Sequence, residues 1–549
     1  MNDNVPSRKR LGERLVAEGL ITPEQLEEAL RIQTQTGELL GEVLIKLGAL
    51  REEDLNRILG LDRRGAGVTP ELLALVPEDM ARRKRVFPLK REGNRLFLLM
   101  ANPLDVTVID DLKLWTNLEI VPLKASDGEV ETLINRHYGL SEVAKILEEL
   151  GEEPEEIEEV LVEKAPIVQL VNSLISGAVA EGASDIHIEP FEDEVRVRYR
   201  VDGILHEVMR LPRRMAPALG ARIKIMANMD IAERRLPQDG RILTRIGEKE
   251  LDLRVSTFPT VFGEKVAIRI LDKEQLQRFT LDNLGFSPYN LEIFKRFLQT
   301  SFGMVLLTGP TGCGKTTTLY AALSYLNRVE KNIVTVEDPV EYVLEGINQA
   351  QVNVKAGATF ATYLRSILRQ DPDIIMVGEI RDLETAEIAV QAAITGHLVL
   401  STLHTNDAPG ALTRLVDMGV EPFMVASSVV GVVAQRLVRR LCPHCREPYQ
   451  PTEAEKAFLG REVEVPLYRG RGCRQCRNTG YRGRIAIHEV LWVSPRLQHL
   501  VLNKAPLEEL RQAALEEGMV SLKEDAIGKI LQGITAIPEV MRVIYQEGS

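Results

Sequence analysis

The spacing of apolar positions changes several times along these 549 residues, and each change marks an expected domain boundary. In 1–62 one pattern occurs twice: Arg10, Leu11, Gly12, Leu15, Gly19, Leu26 and Leu30 return 29 positions later as Leu39, Leu40, Gly41, Leu44, Gly48, Leu55 and Leu59. Leu11 and Leu15 share a helical face, Gly19 interrupts it, and Thr22-Pro23-Glu24-Gln25 is a helix start, so each copy reads as two short helices. In 63–140 short apolar runs, Arg95 to Met100 and Leu118 to Pro122, stand between helical segments, which predicts a small α/β domain. Ala165 opens a helix, after which Asp185 to Glu189 and Val195 to Arg200 alternate with period two, so 165–275 reads as a strand-rich domain with helices. From 281 to 549 apolar strands alternate with helices, the pattern of a parallel sheet with crossovers.

Charge adds a linker to this outline. Residues 141–164 hold ten Glu against Lys145 and Lys164, a net of −8 within a chain whose 68 basic and 80 acidic residues give −12, so the segment is expected to be a solvated tether. The overall acidity argues against a nucleic-acid packaging protein. Met1 to Arg10 lacks an apolar signal-peptide core, and the longest uncharged stretch, Ile388 to Asn406, is broken by polar residues, so neither a signal peptide nor a transmembrane helix is expected. Four of the five cysteines fall in two C-x-x-C pairs, which suits a cytosolic chain and calls for a metal or redox explanation.

Met304 to Leu307 predicts a buried strand, and Gly309-Pro310-Thr311-Gly312-Cys313-Gly314-Lys315-Thr316 followed by a helical run from Thr317 is a P-loop in its strand, loop, helix setting. Gly309, Thr311, Gly312, Gly314, Lys315, Thr316 and Thr317 are the nucleotide-binding candidates. Backbone N–H groups converge on phosphates at the helix N-terminus, Lys315 reaches the β- and γ-phosphates, and the Thr316 hydroxyl faces Mg²⁺. Two further strands end in carboxylates, Ile333 to Val336 in Glu337-Asp338-Pro339-Val340-Glu341 and Ile374 to Val377 in Gly378-Glu379, and such strand ends face the ligand crevice. Gly378 stands where a Mg²⁺-binding Asp often stands, so Thr316 is the main expected ligand and Glu379 acts near or through metal water. His397 and His404 bracket the apolar strand Leu398 to Leu403, with Ser401 to Asn406 placed as a γ-phosphate sensor would be; solvated loop acids and satisfied core histidines are the plain alternatives.

These segments together resemble the secretion-superfamily ATPases of type II secretion and type IV pilus assembly (GspE/PilB type). Val305 to Thr318, the acidic box Glu337 to Glu341, Gly378-Glu379-Ile380-Arg381-Asp382 and the box from Thr395-Gly396-His397 to His404 carry the likeness, and Ser184 to Pro190, Val201-Asp202-Gly203 and Pro237 to Arg241 extend it over residues 160–545. The resemblance implies an α/β multidomain chain: a RecA-like P-loop ATPase core at 281–549, preceded by a PAS-like α+β domain at 165–275, the small α/β domain and the helical repeat. It implies Glu341 as general base, Glu379 as Walker-B acid, and His397 and His404 as a histidine box. It also implies a homohexamer in which Arg254 and Arg269, with Arg241 a weaker match, reach a neighbour's ATP; arginine forks suit the charge on a transferring phosphoryl group, and strand ion pairs are the alternative. Arg365 and Arg369, four apart on one helical face, and Arg381 are expected to face the subunit interface.

Cys442, Cys445, Cys473 and Cys476 form two C-x-x-C knuckles 27 residues apart, the pattern of a closed, structural four-cysteine zinc site in an insertion at 440–480. A redox pair and a nucleic-acid zinc ribbon are the alternatives, the latter kept open by Arg436, Arg439, Arg440, Arg446, Arg471, Arg474 and Arg477. The N-terminal repeat at 1–62 resembles the MshEN-type module, which implies cyclic di-GMP binding with Arg10, Leu11, Gly12, Gln33 and Gly41 as candidates. The second copy departs from the pattern, with Leu39 for the Arg and Asp62 for the Gln, and a helical adaptor that docks on a membrane-anchored partner is the alternative. The expectation is a cytoplasmic hexameric motor using ATP, Mg²⁺ and Zn²⁺, held at the inner membrane by a platform protein and cytoplasmic-side pilus or secretion assembly proteins, that drives type IV pilus extension. No stable nucleic-acid partner is expected. A type II secretion ATPase is the alternative within the class; a DNA-uptake component or a nucleotide-gated scaffold is the alternative outside it.

Overall fold

A computed structural model gives the fold and describes residues 12, 15, 16, 18, 20–36, 40–50, 54, 68–103, 105–125, 130, 133, 134, 165–246, 249–272, 278–353, 356–460 and 466–545. Arg10, Leu11 and the acidic stretch 141–164 lie outside the described residues. The chain divides into two compact units, one formed by 1–246 and 252–270, the other by 247–251 and 271–549.

In the first unit, helix Pro23–Thr36 starts where the sequence places it: Thr22 and Gln25 exchange hydrogen bonds, with the Thr22 N–H donating to Gln25 Oε1 at 2.8 Å and the Gln25 N–H to Thr22 Oγ1 at 3.3 Å. Helix Leu40–Lys46 carries Gly41, and Leu15, Ile21, Ala29, Val43, Leu44 and Leu50 form the small core between these segments. Gly12 is buried and helical, and a Cβ there would lie 2.6 Å from Leu26 Cδ1, so its missing side chain permits the close approach. Next comes a three-stranded sheet, β1 (Val86–Glu92), β2 (Arg95–Met100) and β3 (Glu119–Lys124), with β1 antiparallel and β3 parallel to β2; helix Val106–Thr116 makes the crossover. Strand β1 was not legible because Pro88 and the run Lys90-Arg91-Glu92 interrupt its apolar signal.

Helix Ala165–Ala180 leads into a six-stranded sheet of β4 (Asp185–Pro190), β5 (Glu194–Val201), β6 (Ile204–Pro212), β7 (Gln238–Ile246), β8 (Lys249–Thr260) and β9 (Gly263–Asp272), ordered β6-β5-β4-β9-β8-β7. The period-two alternation of β5 buries Val195, Val197 and Tyr199 and leaves Arg196, Arg198 and Arg200 on the other face. Tyr199 ties the sheet to the helix by donating its hydroxyl to the Leu174 carbonyl at 2.6 Å.

The second unit is built on seven strands: β10 (Gly303–Thr308), β11 (Ile333–Glu337), β12 (Asn348–Gln351), β13 (Ile374–Val377), β14 (Leu398–Leu403), β15 (Val429–Leu441) and β18 (Tyr481–Trp492), in the order β12-β11-β13-β14-β10-β15-β18. Six run parallel, as the alternation of strands and helices predicts, and β18 returns antiparallel to β15. Both faces are covered: Met304 and Leu306 of β10 pack with the helix Leu383–Ile394, whereas Val305 and Leu307 pack with Phe294, Leu319 and Leu323. A doubly buried strand reads as a continuous apolar run for this reason. Between β15 and β18 the chain forms the hairpin β16 (Arg446–Tyr449) and β17 (Leu467–Gly470), with helix Glu453–Leu459 between them. Four helices from Pro495 to Tyr545 complete the unit. Among the described residues no helix is long and apolar enough to cross a membrane.

Candidate functional site

The P-loop leaves the C-terminal end of β10 and enters helix Lys315–Leu326, so the loop lies at the ligand end of a parallel sheet. Two of its glycines are required by what lies beneath them. A Cβ on Gly309 (φ 145°) would sit 2.5 Å from the Gln435 carbonyl oxygen, and one on Gly314 (φ 91°) 2.8 Å from Gln435 Nε2. Gln435, buried on β15, donates Nε2–H to the Cys313 carbonyl at 2.7 Å and accepts the Thr318 hydroxyl at 2.7 Å, bracing the loop and the helix behind it. Lys315 Nζ donates to the Gly309 and Pro310 carbonyls at 2.6 and 3.1 Å, and burial lowers its pKa from the ordinary lysine value. Burial also pushes the Cys313 thiol up, which suits its inert place in the turn. Thr311, Gly312 and Thr316 are exposed, with Thr317 half-buried in the first turn of the helix.

Glu337, at the end of β11, is buried, with Thr335 Oγ1 donating at 2.6 Å, Gln349 Nε2 at 3.1 Å and the Tyr320 hydroxyl in a short bond. The same Tyr320 oxygen accepts the Glu341 N–H at 3.2 Å, and burial raises the phenol's pKa far above the ordinary tyrosine value. Glu337 is therefore the anchor of the acidic box, and half-buried Glu341 is its outer carboxylate. Glu379 follows β13; Arg381 Nη2 donates to its Oε1 at 2.6 Å and His404 Nε2 lies 3.5 Å from its Oε2. Gly378 is fitted closely against β11, since a Cβ would stand 3.3 Å from Glu337 Cα.

The structure thus brings Glu379, Arg381 and His404 together and separates His397 from them. His397 precedes β14 at the far end of the strand, where its carbonyl accepts the Gly303 N–H and its Nδ1 lies 2.9 Å from the Ala392 carbonyl; six strand residues, about 20 Å, lie between the two histidines. His397 thus stands at the opposite end of β14 from the Glu379–Arg381–His404 group, as the strand between the two histidines implies. Arg381, expected at a subunit interface, is held on Glu379 at the nucleotide end. Arg365 donates to Glu384 at 2.6 Å, and Arg369, beyond the end of helix Phe360–Ile367, folds back onto the Arg365 carbonyl at 2.8 Å. In the first unit, Arg241 forks onto the buried Asp252, Arg269 Nε donates to Asp185 Oδ1 at 3.1 Å while staying exposed, and Arg254 is half-buried on β8. Sequence reasoning missed Tyr320 and Gln435. The available signal for Gln435 was a lone amide in the apolar run of β15.

Beyond the C-terminal end of β15, which continues past the level of the P-loop to Leu441, the four cysteines gather. Their sulfur atoms all lie within 4.8 Å of one another, with Cys442–Cys473, Cys445–Cys476 and Cys473–Cys476 each at 3.7 Å. A tetrahedron with metal–sulfur bonds of about 2.3 Å has edges of about 3.8 Å, so the cluster fits zinc and leaves no open position. The Cys473 and Gly480 N–H groups point at Cys476 Sγ at 3.2 and 3.3 Å, a backbone shell suited to a thiolate.

Comparison with known proteins places this geometry. The sequence pattern of the type II/IV secretion system protein family matches residues 160–542, and that of the MshEN domain matches 57–144. The MshEN match covers the three-stranded domain and its flanks and overlaps only the last residues, 57–62, of the repeat at 1–62 that carried the resemblance. The chain is 46% identical over 557 aligned residues, covering 97% of it and 98% of its relative, to the type IV pilus assembly ATPase PilB of Myxococcus xanthus. It is 54% identical to the type II secretion system protein E of Pseudomonas aeruginosa, over 70% of this chain and 76% of that one. The X-ray structure of the Yersinia pseudotuberculosis ATPase DotB covers 68% of this chain and 92% of its own at 20% identity and a TM-score of 0.51, which shows a shared fold.

Proposed function

Since the chain belongs to the type II/IV secretion system protein family, we propose that it is an ATP-hydrolysing motor that drives type IV pilus extension. The observation that carries this is the meeting of the P-loop, the Glu337–Glu341 box and the Glu379–Arg381–His404 group at one end of the parallel sheet. Lys315 and the loop N–H groups bind the β- and γ-phosphates, and a phosphate oxygen replaces the carbonyls that now hold the ammonium. Thr316 holds Mg²⁺, which neutralises phosphate charge. Glu341 takes the proton of the attacking water, held in place by Tyr320 and Glu337, while Glu379 and His404 orient the γ-phosphate end. Arg254 and Arg269 of a neighbouring copy stabilise the charge that develops there, and a homohexamer supplies that neighbour. Arg241, Arg365 and Arg369 serve structural ion pairs and helix bonds beside that interface. His397 is assigned no chemical step.

The four-cysteine cluster holds Zn²⁺ as a structural ion. The N-terminal repeat takes cyclic di-GMP through Gly12, Gln33 and Gly41 together with Arg10 and Leu11, all N-terminal to the MshEN match at 57–144, and the motor works on the cytoplasmic side of the inner membrane against a platform protein. Type II secretion is the second reading, favoured by the 54% identity to a protein of that name. The test is ATP turnover of the purified chain with its mass measured in parallel. Turnover should appear with the hexamer, and Glu341→Gln should bind ATP while hydrolysing it about 10²-fold more slowly or worse; unchanged turnover in that variant refutes the assignment of the base. Expression in hosts lacking either a pilus-extension or a secretion ATPase then separates the two readings.

A further inference from the structure

Strands β10 and β14 run side by side with Thr308 opposite Leu403, and the segment that leaves β14 is tied twice, once to β10 and once to β15. Thr308, fully buried, has its Oγ1 2.7 Å from Thr405 Oγ1, accepts the Thr405 N–H at 2.8 Å, and reaches the Thr405 and Leu403 carbonyls at 3.1 and 3.3 Å. Arg436, almost buried on β15, donates Nη1–H to the Gln435 carbonyl at 3.2 Å and Nη2–H to the backbone and side-chain oxygens of Asn406 at 3.1 and 3.3 Å. Gly309 lies against the Arg436 tie, since a Cβ there would stand 3.0 Å from Arg436 Nη1. His404 sits between the residues that Thr308 grips, Leu403 and Thr405, and next but one to Asn406, which Arg436 grips. A Leu or Met would fill the space of Arg436 with less desolvation; the fork instead spans two segments, one arm on the Gln435 carbonyl and the other on both oxygens of Asn406.

We infer that Thr308 and Arg436 are positioning residues that fix the His404 loop against the floor of the P-loop, setting the distance between the Glu379–His404 pair and the phosphate held by Lys315. The inference rests on the hydrolytic role proposed for that site. Neither residue touches the reacting atoms, so their loss acts through His404.

Thr308→Val keeps the shape and removes the hydroxyl, and Arg436→Lys keeps the charge and removes the fork. Each should lower kcat about tenfold with KM for ATP changed less than about twofold, and Thr308→Ser should restore kcat. In a His404→Ala background neither should lower kcat by more than about twofold further, because residues acting through one group are not additive. Hydrogen exchange of the peptide spanning 403–408 should rise in both variants while that of helix 315–326 stays unchanged. Wild-type kcat in both variants, losses that multiply with that of His404→Ala, or unchanged exchange at 403–408 overturns the inference. Absence of ATP turnover in the unaltered protein would sink the motor assignment instead, and the exchange measurement would then decide the tie by itself.

Discussion

The four-cysteine knuckle and the P-loop end are both reached from one strand, β15, with Arg436 and Cys442 six residues apart, yet they are completed in different ways. The knuckle is closed within two short stretches of chain: four sulfur atoms at tetrahedral spacing, with backbone N–H groups supplying the outer shell. The nucleotide end is gathered from the ends of β10, β11, β13 and β14 and braced by β15, and the arginines proposed to complete it stand on a different unit. A site closed by local spacing is autonomous. One gathered by a sheet depends on every strand that feeds it, and can be switched by moving a unit that supplies only one group.

The largest effect is expected from breaking the autonomous site. Cys442→Ser or Cys473→Ser should abolish the one equivalent of zinc per chain, measured by metal release, and should unfold the knuckle, since structural zinc binding is worth about 10–16 kcal/mol; retention of a full equivalent in either variant would refute the four-cysteine assignment. For the gathered site, Arg254→Ala should reduce turnover about 10³-fold and Lys315→Ala about 10²–10³-fold. Mixing the two inactive variants sharpens the contrast, because a shared site regains turnover in mixed rings and a self-contained one does not. Tyr320→Phe should cost about 1–3 kcal/mol of stability by leaving Glu337 one donor short in a buried place, read as a lower unfolding midpoint. The smallest effect follows pH. Burial alone would raise the pKa of Glu539, but the Arg542 and Arg439 bonds outweigh it and hold the folded value below the ordinary one. The stability it gives is present above the unfolded value of about 4.3 and is lost as pH falls through the folded one. In Glu539→Gln that acid limb of the unfolding curve should flatten.

What was legible in the sequence follows the same division. The P-loop and the cysteine pairs are runs whose chemistry depends on near neighbours, so spacing sufficed. Tyr320 and Gln435 act on residues 17 and 122 positions away, across strands, and nothing local distinguishes them from a helix tyrosine or a strand amide. The separation of the two histidines was legible too: the apolar run Leu398 to Leu403 reads as one strand, and that strand carries one histidine to each end of the sheet. The arginines of the strand-rich domain were read as candidates for either ion pairs or phosphate contacts. Arg241 and Arg269 are both exposed, but Arg241 gives two nitrogens of its fork to Asp252, whereas Arg269 gives Nε alone to Asp185.

The border of the large sheet settles one more matter. β12 is four residues long, reads Asn-Gln-Ala-Gln, and turns the Gln349 amide inward to Glu337 and the Tyr342 carbonyl. So brief and polar a margin offers a stray strand few hydrogen bonds and little apolar surface, so this edge, unlike the twelve-residue β18 at the opposite border, resists strand addition when copies are crowded together.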